Sequence, residues 1–193
     1  MMNNKYSNIV IACDMDDTIE FLLKAWVRWL NRTYRCSVNH VDITDWRVDL
    51  YYPTLTKEQV FEPLDLEDFW KTVPPMFDAI KYLELLQSEG FDIYIVTSAH
   101  PESVAPKLQH VLFKYFPFID PSKVIICHNK QLIRCDIMID DGPHNIVGNY
   151  VGLLKDAMHN HSYNCDNVNV KRVFCWKNIY ETIHSICDGE RLK

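Results

Sequence analysis

Glycine is scarce in this sequence, which has only five glycines among 193 residues. A phosphate loop of the G-x-x-x-x-G-K-[ST] type and a G-x-G-x-x-G dinucleotide fingerprint both need closely spaced glycines, and neither pattern occurs. The sequence therefore excludes a P-loop nucleoside triphosphatase and a dinucleotide site of that kind. Phosphate chemistry in this chain has to use side chains, carboxylates above all.

Basic residues are outnumbered, because 20 lysines and arginines stand against 26 acidic residues and give a net charge of -6. Polymeric nucleic acid attracts basic surfaces, so we do not expect it as a partner. No apolar run approaches the roughly 18 residues of a membrane span. The polar residues 1–8 also lack the apolar segment of a signal peptide. We expect a cytoplasmic protein without a membrane partner.

The seven cysteines form no C-x-x-C pair, which excludes zinc-ribbon and thioredoxin arrangements. Several stand in apolar runs, where a free thiol behaves as a small hydrophobic group. We therefore expect thiols in a reducing compartment. His159 and His161 lack the partners of a zinc site and are interpreted as structural or solvated residues.

Short apolar runs alternate with helical patterns along the chain. The runs cover residues 9–13, 91–96, 124–127 and 137–139, with weaker candidates at 151–154 and 172–175. Helical patterns cover residues 79–88, 101–115 and 178–186. Because strands alternate with helices, we predict an α/β fold with a doubly wound parallel sheet.

The stretch between the first predicted strand and the helix before the second is much longer than one crossover needs. It begins with an amphipathic helical pattern over residues 20–36 and continues with aromatic residues and prolines over 40–76. We predict that residues 20–76 form a small helical cap, inserted after the first strand of a core domain that comprises residues 1–19 and 77–193.

Polar residues follow the four strongest strand candidates, where parallel sheets place their sites. They are Asp14, Asp16 and Thr18 after the first, Thr97 and Ser98 after the second, Lys130 after the third, and Asp140 and Asp141 after the fourth. Clustered carboxylates favour a hard cation such as Mg²⁺, while hydroxyls and a lysine suit phosphoryl oxygens. Taken singly, each is better explained as structural, with Lys130 as a surface ammonium, Thr97 as a strand-end hydroxyl and Asp141 as a cap. Together they predict a phosphoryl-transfer site.

These motifs, in this order, resemble those of the haloacid dehalogenase (HAD) superfamily of phosphohydrolases. Segments 14–16, 95–98, 128–130 and 139–143 resemble in particular the 5′(3′)-deoxyribonucleotidases. Asp17 departs from that pattern, since many of these nucleotidases have glycine there. The resemblance implies a Rossmannoid core and Mg²⁺-dependent hydrolysis of nucleoside monophosphates, with deoxyribonucleotides favoured, through an aspartyl-phosphate.

The resemblance also implies a role for each motif residue. Asp14 becomes the nucleophile, and Asp16 the general acid and then the base. The metal ligands become Asp14, the backbone carbonyl of Asp16 and Asp140, with Asp141 as a further ligand or its neighbour. The phosphate oxygens are assigned to Thr97, Ser98 and Lys130.

The cap would close over the substrate and exclude water. Its aromatic candidates for stacking on a nucleobase are Phe21, Trp46, Phe69 and Trp70. The alternative, that these rings form the core of the cap, stays open for each of them.

Two other functions are compatible with the sequence. One is a HAD phosphatase for a sugar phosphate or another small metabolite. The other is a non-catalytic phosphate-binding module, which the presence of both Asp14 and Asp16 disfavours. The preference for 5′ or 3′ phosphates, the choice of base and the formation of a homodimer are left open.

Overall fold

The computed structural model describes residues 5–166 and 169–189. Within them, six parallel strands form one sheet in the order β3-β2-β1-β4-β5-β6. The strands are β1 Val10–Cys13, β2 Asp92–Thr97, β3 Val124–Ile126, β4 Ile137–Asp140, β5 Val151–Lys155 and β6 Val170–Val173. This parallel sheet confirms the predicted α/β class. The predicted core domain also includes residues 1–4, 167–168 and 190–193, which lie outside the described residues.

The central strand β1 pairs with β2 on one side and with β4 on the other. Ile11, Ala12 and Cys13 are completely buried, because a parallel sheet of this type is covered on both faces. Strands β2 and β3 follow β1 on one side of the sheet, and β4, β5 and β6 follow on the other side. The strand order therefore reverses between β1 and β4, which is where open α/β sheets form their binding crevice. The amide of Asp14 extends this pairing by donating to the carbonyl oxygen of Ile139 at 2.9 Å.

Seven α-helices and several single turns connect the strands within the described residues. The helices are α1 Leu22–Tyr34, α2 Lys57–Phe61, α3 Glu67–Trp70, α4 Phe77–Ser88, α5 Pro101–Lys107, α6 Phe113–Tyr115 and α7 Trp176–Asp188. The 3₁₀ turns are His40–Asp42, Val48–Tyr51, Glu62–Asp65, Pro121–Lys123, Lys130–Leu132 and Met158–Asn160. A π-helical turn, Leu108–Leu112, joins α5 to α6.

Two elements differ from the sequence predictions. The helix predicted over residues 101–115 is divided by the π-helical turn, which follows Pro106 closely. Proline has no amide hydrogen to donate within a helix, so the regular hydrogen-bond ladder is already interrupted there. The last strand lies two residues earlier than predicted, since its register on β5 ends at Val173 and α7 begins at Trp176.

The segment predicted as a cap leaves the core and returns to it at one place. Its two connections run side by side, with an isolated β-bridge between Glu20 and Pro75. The amide of Phe21 donates to the carbonyl oxygen of Pro74 at 3.0 Å, and that of Met76 donates to Ile19 at 2.8 Å. The assignment of residues 20–76 as a separate cap stays a prediction.

No helix in the described ranges combines the length and apolar character that a membrane crossing requires.

Gly152 in β5 allows this strand to lie very close to the preceding loop, which contains Ile146. A Cβ atom at this position would lie 2.3 Å from the carbonyl oxygen of Ile146, so the backbone would have to shift. We expect Gly152→Ala to lower the free energy of unfolding by about 1–3 kcal/mol, the usual cost of overpacking. Urea denaturation measures this change. An unaltered midpoint would show that the loop has room to move.

Candidate active site

Three carboxylates converge at the crevice between β1 and β4. Asp14 follows β1, Asp140 ends β4, and Asp141 comes next. Each of these residues is at most 3% exposed, and one carboxylate oxygen from each lies within 4.8 Å of the others. Like charges at this spacing and burial repel strongly, so the site needs positive charge.

Lys130 supplies part of that charge. Its ammonium contacts Asp14 Oδ1 and donates to Asp140 Oδ2 at 2.7 Å. The other oxygen of Asp140 accepts from the amide of Gly142 at 2.7 Å and from Asn145 Nδ2 at 3.1 Å. Burial alone lowers the pKa of Lys130, but the two carboxylates outweigh burial, so the pKa is raised and the ammonium stays charged.

One lysine does not neutralise three acids. Burial, followed by repulsion from Asp140, raises the pKa of both Asp14 and Asp141 well above the usual range, although Lys130 opposes the shift. Asp141 Oδ2 is buried and has no hydrogen-bond partner among the described residues. Carboxylate oxygens are the ligands that hard divalent cations prefer. The donor set therefore fits such an ion.

A second buried lysine, Lys107, organises the other side of the site. Its side chain is 2% exposed. The ammonium lies 2.7 Å from the carboxylate of Asp16, donates to Thr97 Oγ1 at 2.7 Å and to the carbonyl oxygen of Ser98 at 3.2 Å. It also lies 5.4 Å from the ring centroid of Trp70. Lys107 thus joins the loop after β1 to the end of β2.

Lys107 was not predicted from the sequence as a site residue, because a lysine in an amphipathic helix is usually a surface residue. The sequence did carry a weak signal that Lys107 is buried. Ser103, Lys107 and Val111 are spaced by four residues, and the structure buries all three. A lysine four residues before a buried valine therefore lies on the inner face of the helix.

The backbone conformation at Asp17 explains how aspartate can stand where many of these nucleotidases have glycine. Its φ is 51°, in the left-handed region that glycine adopts at no steric cost and that aspartate tolerates better than most residues. The Asp17 carboxylate accepts from the amide of Leu23 at 3.1 and 3.3 Å. Aspartate thus adds a hydrogen bond to the first turn of α1 that glycine would lack.

These groups line a cavity of about 490 Å³, a volume that suits a small ligand. The polar lining includes Asp14, Asp16, Ser98, Lys107, Lys130, Asp140 and Asp141. Most of the apolar lining comes from the segment 20–76, namely Leu22, Trp26, Trp46, Phe61, Leu64 and Trp70, and Ala99 adds to it from the loop after β2. An anionic group and a flat apolar group could therefore bind side by side.

The four aromatic candidates do not share one environment. Trp46 and Trp70 line the cavity. Phe69 is completely buried, and its ring packs edge-on against Trp29 and Trp70 at 5.8 and 5.3 Å. Phe21 is 37% exposed. Neither phenylalanine is among the residues that line the cavity, so of the four only the two tryptophans are in reach of a ligand bound there.

The two hydroxyl candidates also differ. Ser98 lines the cavity, where its Oγ contacts His128 Nδ1. Thr97 is completely buried and is not part of the described lining, because its hydroxyl is turned toward Lys107. Of the two predicted hydroxyls, Ser98 is therefore the one that a ligand in the cavity can reach.

Comparison with known proteins identifies the family. A family model described as "5' nucleotidase, deoxy (Pyrimidine), cytosolic type C protein" matches residues 8–187. The chain belongs to this nucleotidase family. The resemblance drawn from its motifs is thereby confirmed, and so is its class as a phosphoric monoester hydrolase.

Relatives and solved structures agree with this assignment. A 5'(3')-deoxyribonucleotidase of Bacillus subtilis is 36% identical over 173 residues, which cover 88% of this chain and 95% of that protein. A HAD family hydrolase of Deinococcus radiodurans, with bound phosphate and sodium, superposes with a TM-score of 0.61 at 11% identity and covers 95% of this chain and 97% of its own. A HAD hydrolase of Bacillus subtilis bound to magnesium has a TM-score of 0.54 at 13% identity, covering 91% and 98%. The two structures establish the fold alone.

Removal of the Lys107 ammonium tests whether this residue positions Asp16 and Thr97 for activity. Lys107→Met leaves Asp16 and Thr97 without their shared partner, and a lost hydrogen bond to a charged group costs about 1.5–3 kcal/mol. We expect kcat/KM for p-nitrophenyl phosphate, a chromogenic phosphomonoester, to fall about 10- to 100-fold. Lys114→Met, at an exposed lysine of α6, is the matched control. Equal kcat/KM values in the two variants would contradict this role.

Proposed function

We propose that the protein is a Mg²⁺-dependent nucleotidase that hydrolyses nucleoside monophosphates, with deoxyribonucleotides favoured, through an aspartyl-phosphate on Asp14. The observation that carries the proposal is that Asp14 and Asp16 line the same cavity as Trp46 and Trp70. Phosphate chemistry and a surface for a flat base are therefore adjacent. The name of the Bacillus subtilis relative, 5'(3')-deoxyribonucleotidase, supports this substrate class.

The first step transfers the phosphoryl group to the protein. A carboxylate oxygen of Asp14 attacks phosphorus and forms a new P–O bond, while the bond from phosphorus to the sugar oxygen breaks. The carboxyl group of Asp16 gives its proton to that oxygen, so the nucleoside leaves as an alcohol. Lys107 holds Asp16 in place during this transfer, because its ammonium also binds the adjacent strand end at Thr97.

The second step releases phosphate. The Asp16 carboxylate takes a proton from a water molecule, whose oxygen attacks phosphorus. The bond between phosphorus and Asp14 breaks, which restores the Asp14 carboxylate and the Asp16 carboxyl group and yields inorganic phosphate. One residue thus serves as acid and then as base.

Asp14, Asp140, Asp141 and the backbone carbonyl of Asp16 would hold the magnesium ion. When bound, Mg²⁺ neutralises charge on the carboxylates and on the phosphoryl oxygens. The buried Asp141 Oδ2 without a hydrogen bond supports this assignment, as does the magnesium in one HAD hydrolase with the same fold.

Lys130 and Ser98 would bind the phosphoryl oxygens from opposite sides. Both line the cavity, and Lys130 carries a charge that now lies between Asp14 and Asp140. Thr97 would act indirectly, because its hydroxyl accepts a hydrogen bond from the Lys107 ammonium and helps to hold that group in place. Two of the predicted phosphate residues would thus contact the anion, and the third would act through Lys107.

Residues 20–76 would act as the cap. Their two connections pair at Glu20 and Pro75, and this single attachment would let the segment move as a unit. Trp46 and Trp70 would stack on the base, whereas the burial of Phe69 fits a place in the core of the cap. Closure would exclude water from the phosphoryl group.

The seven free cysteines support the expected cytoplasmic location.

Replacement of the nucleophile tests the proposed intermediate. Asp14→Asn keeps the shape of the side chain but removes the nucleophilic oxygen, so we expect phosphate release to fall by more than about 1,000-fold. Asp136→Asn is the matched control, since Asp136 caps the opposite end of β1 through Val10. Thermal unfolding verifies that both variants are folded. Substantial turnover by Asp14→Asn would refute the assignment.

A substrate panel tests the proposed specificity and the metal. We expect kcat/KM to be highest for deoxynucleoside monophosphates, lower for ribonucleotides, and lowest for sugar phosphates that lack a base. A chelator should abolish phosphate release, and added Mg²⁺ should restore it. Preference for a sugar phosphate would favour a metabolite phosphatase instead. Full activity in the chelator would contradict the metal requirement.

A further inference from the structure

His159 occupies a buried position behind the carboxylate cluster. It belongs to the 3₁₀ turn Met158–Asn160, which follows β5, and its side chain is only 4% exposed. It is not one of the described residues that line the cavity. A buried histidine next to a catalytic cluster, but outside the cavity, acts through its neighbours and not on the substrate.

The first of these neighbours is Asp141. His159 Nε2 lies 3.1 Å from Asp141 Oδ2 and 3.3 Å from the carbonyl oxygen of Asp141. The contact with the carbonyl oxygen is a hydrogen bond, and a carbonyl oxygen only accepts, so Nε2 carries the hydrogen. Asn160 Nδ2, on the same turn, donates to the same carbonyl oxygen at 2.8 Å and to that of Lys155 at 2.7 Å. The turn therefore fixes the backbone of Asp141 from behind.

The side chain of Asp141 lies against the same imidazole. Asp141 Oδ2 accepts no hydrogen bond in the described part of the chain, although His159 Nε2 lies 3.1 Å from it. A buried carboxylate oxygen without a hydrogen bond is held only by the groups that pack against it, and His159 is one of these groups. Groups behind a ligand that fix its orientation commonly change metal affinity 10- to 100-fold when removed.

The second neighbour of His159 is Trp46. The two ring centroids are 4.5 Å apart, with an angle of 46° between the ring planes. Trp46 belongs to the segment 20–76 and also lines the cavity. The turn that carries it is fixed locally, because Asp45 accepts from the amide of Arg47 at 2.7 Å. One face of His159 therefore touches the cap segment while its Nε2 touches the carboxylate cluster.

We propose that His159 is a positioning residue, which orients the Asp141 carboxylate toward the metal and transmits the position of Trp46 to it. This inference rests on the proposed function, because Asp141 must hold the ion. Where Trp46 packs on the imidazole, Nε2 lies 3.1 Å from Asp141 Oδ2. When Trp46 moves away, the imidazole gains freedom to turn and the metal ligand loses its support.

Direct Mg²⁺ titration by isothermal calorimetry, without substrate, tests the positioning role. His159→Phe keeps a ring against Trp46 but removes the donor, so we expect the dissociation constant for Mg²⁺ to rise about tenfold or more. His159→Gln keeps an N–H donor and should stay within about threefold of the unmodified chain. The matched control is His161→Phe, since His161 is half exposed and pairs with Asp156 instead.

The role of Trp46 is tested by a double-mutant cycle. Trp46→Leu should weaken Mg²⁺ binding in the same direction, and adding it to His159→Phe should weaken binding no further, because both changes act through one contact. Additive effects would overturn the transmission by His159. If His159→Phe does not fold, which thermal unfolding reveals, His159→Ala replaces it in the cycle.

Kinetics separate positioning from a merely structural role. For His159→Phe, the Mg²⁺ concentration for half-maximal activity should rise with the calorimetric constant, while kcat at saturating Mg²⁺ stays within about threefold. Equal Mg²⁺ affinities in all variants would overturn the inference about His159 and leave the nucleotidase proposal intact. An unmodified chain that binds no Mg²⁺ and hydrolyses nucleotides in a chelator would refute the proposed function itself.

Discussion

Repulsion among buried carboxylates is the constraint on which the site depends. Neighbouring strands of a parallel sheet lie about 4.8 Å apart, so residues at the ends of β1 and β4 are forced together. Asp14 and Asp140 lie there, and Asp141 follows at once. The fold tolerates them because Lys130 binds two of the three. The charge that remains attracts a cation, and a cation attracts phosphate. An acidic protein can thus bind an anionic substrate, because the sign of the field is set locally.

Two buried lysines give two nearby aspartates different surroundings. Lys130 binds the cluster on the β4 side of β1, where it contacts Asp14. Lys107 lies on the β2 side and binds Asp16. Each of the two aspartates therefore has its own counter-ion, which suits the different roles that we propose for Asp14 and Asp16 on one loop. Lys107 also lies over the ring of Trp70, so it links the charged residues of the cavity to the aromatic residues that line it.

The sequence predicted the features that are encoded locally. An apolar run that ends in a carboxylate, as at Asp14, specifies both a buried strand and a polar strand end. Lys107 was not predictable in this way, because its burial depends on how α5 packs over the end of β2. The adjacent rings of Phe69 and Trp70 show the same limit. The rotation of the single-turn helix α3 decides which ring reaches the cavity, and that rotation is set by tertiary packing.

The central claim is that Asp14 forms a covalent bond to phosphorus and Asp16 moves the protons. Asp16→Asn with p-nitrophenyl phosphate separates these roles, because p-nitrophenolate leaves without a proton whereas the attacking water still needs a base. We expect a rapid burst of about one p-nitrophenolate per chain, then slow turnover, with phosphate attached to Asp14 in the quenched protein. Slow release without a burst, and with no phosphate on Asp14, would contradict it.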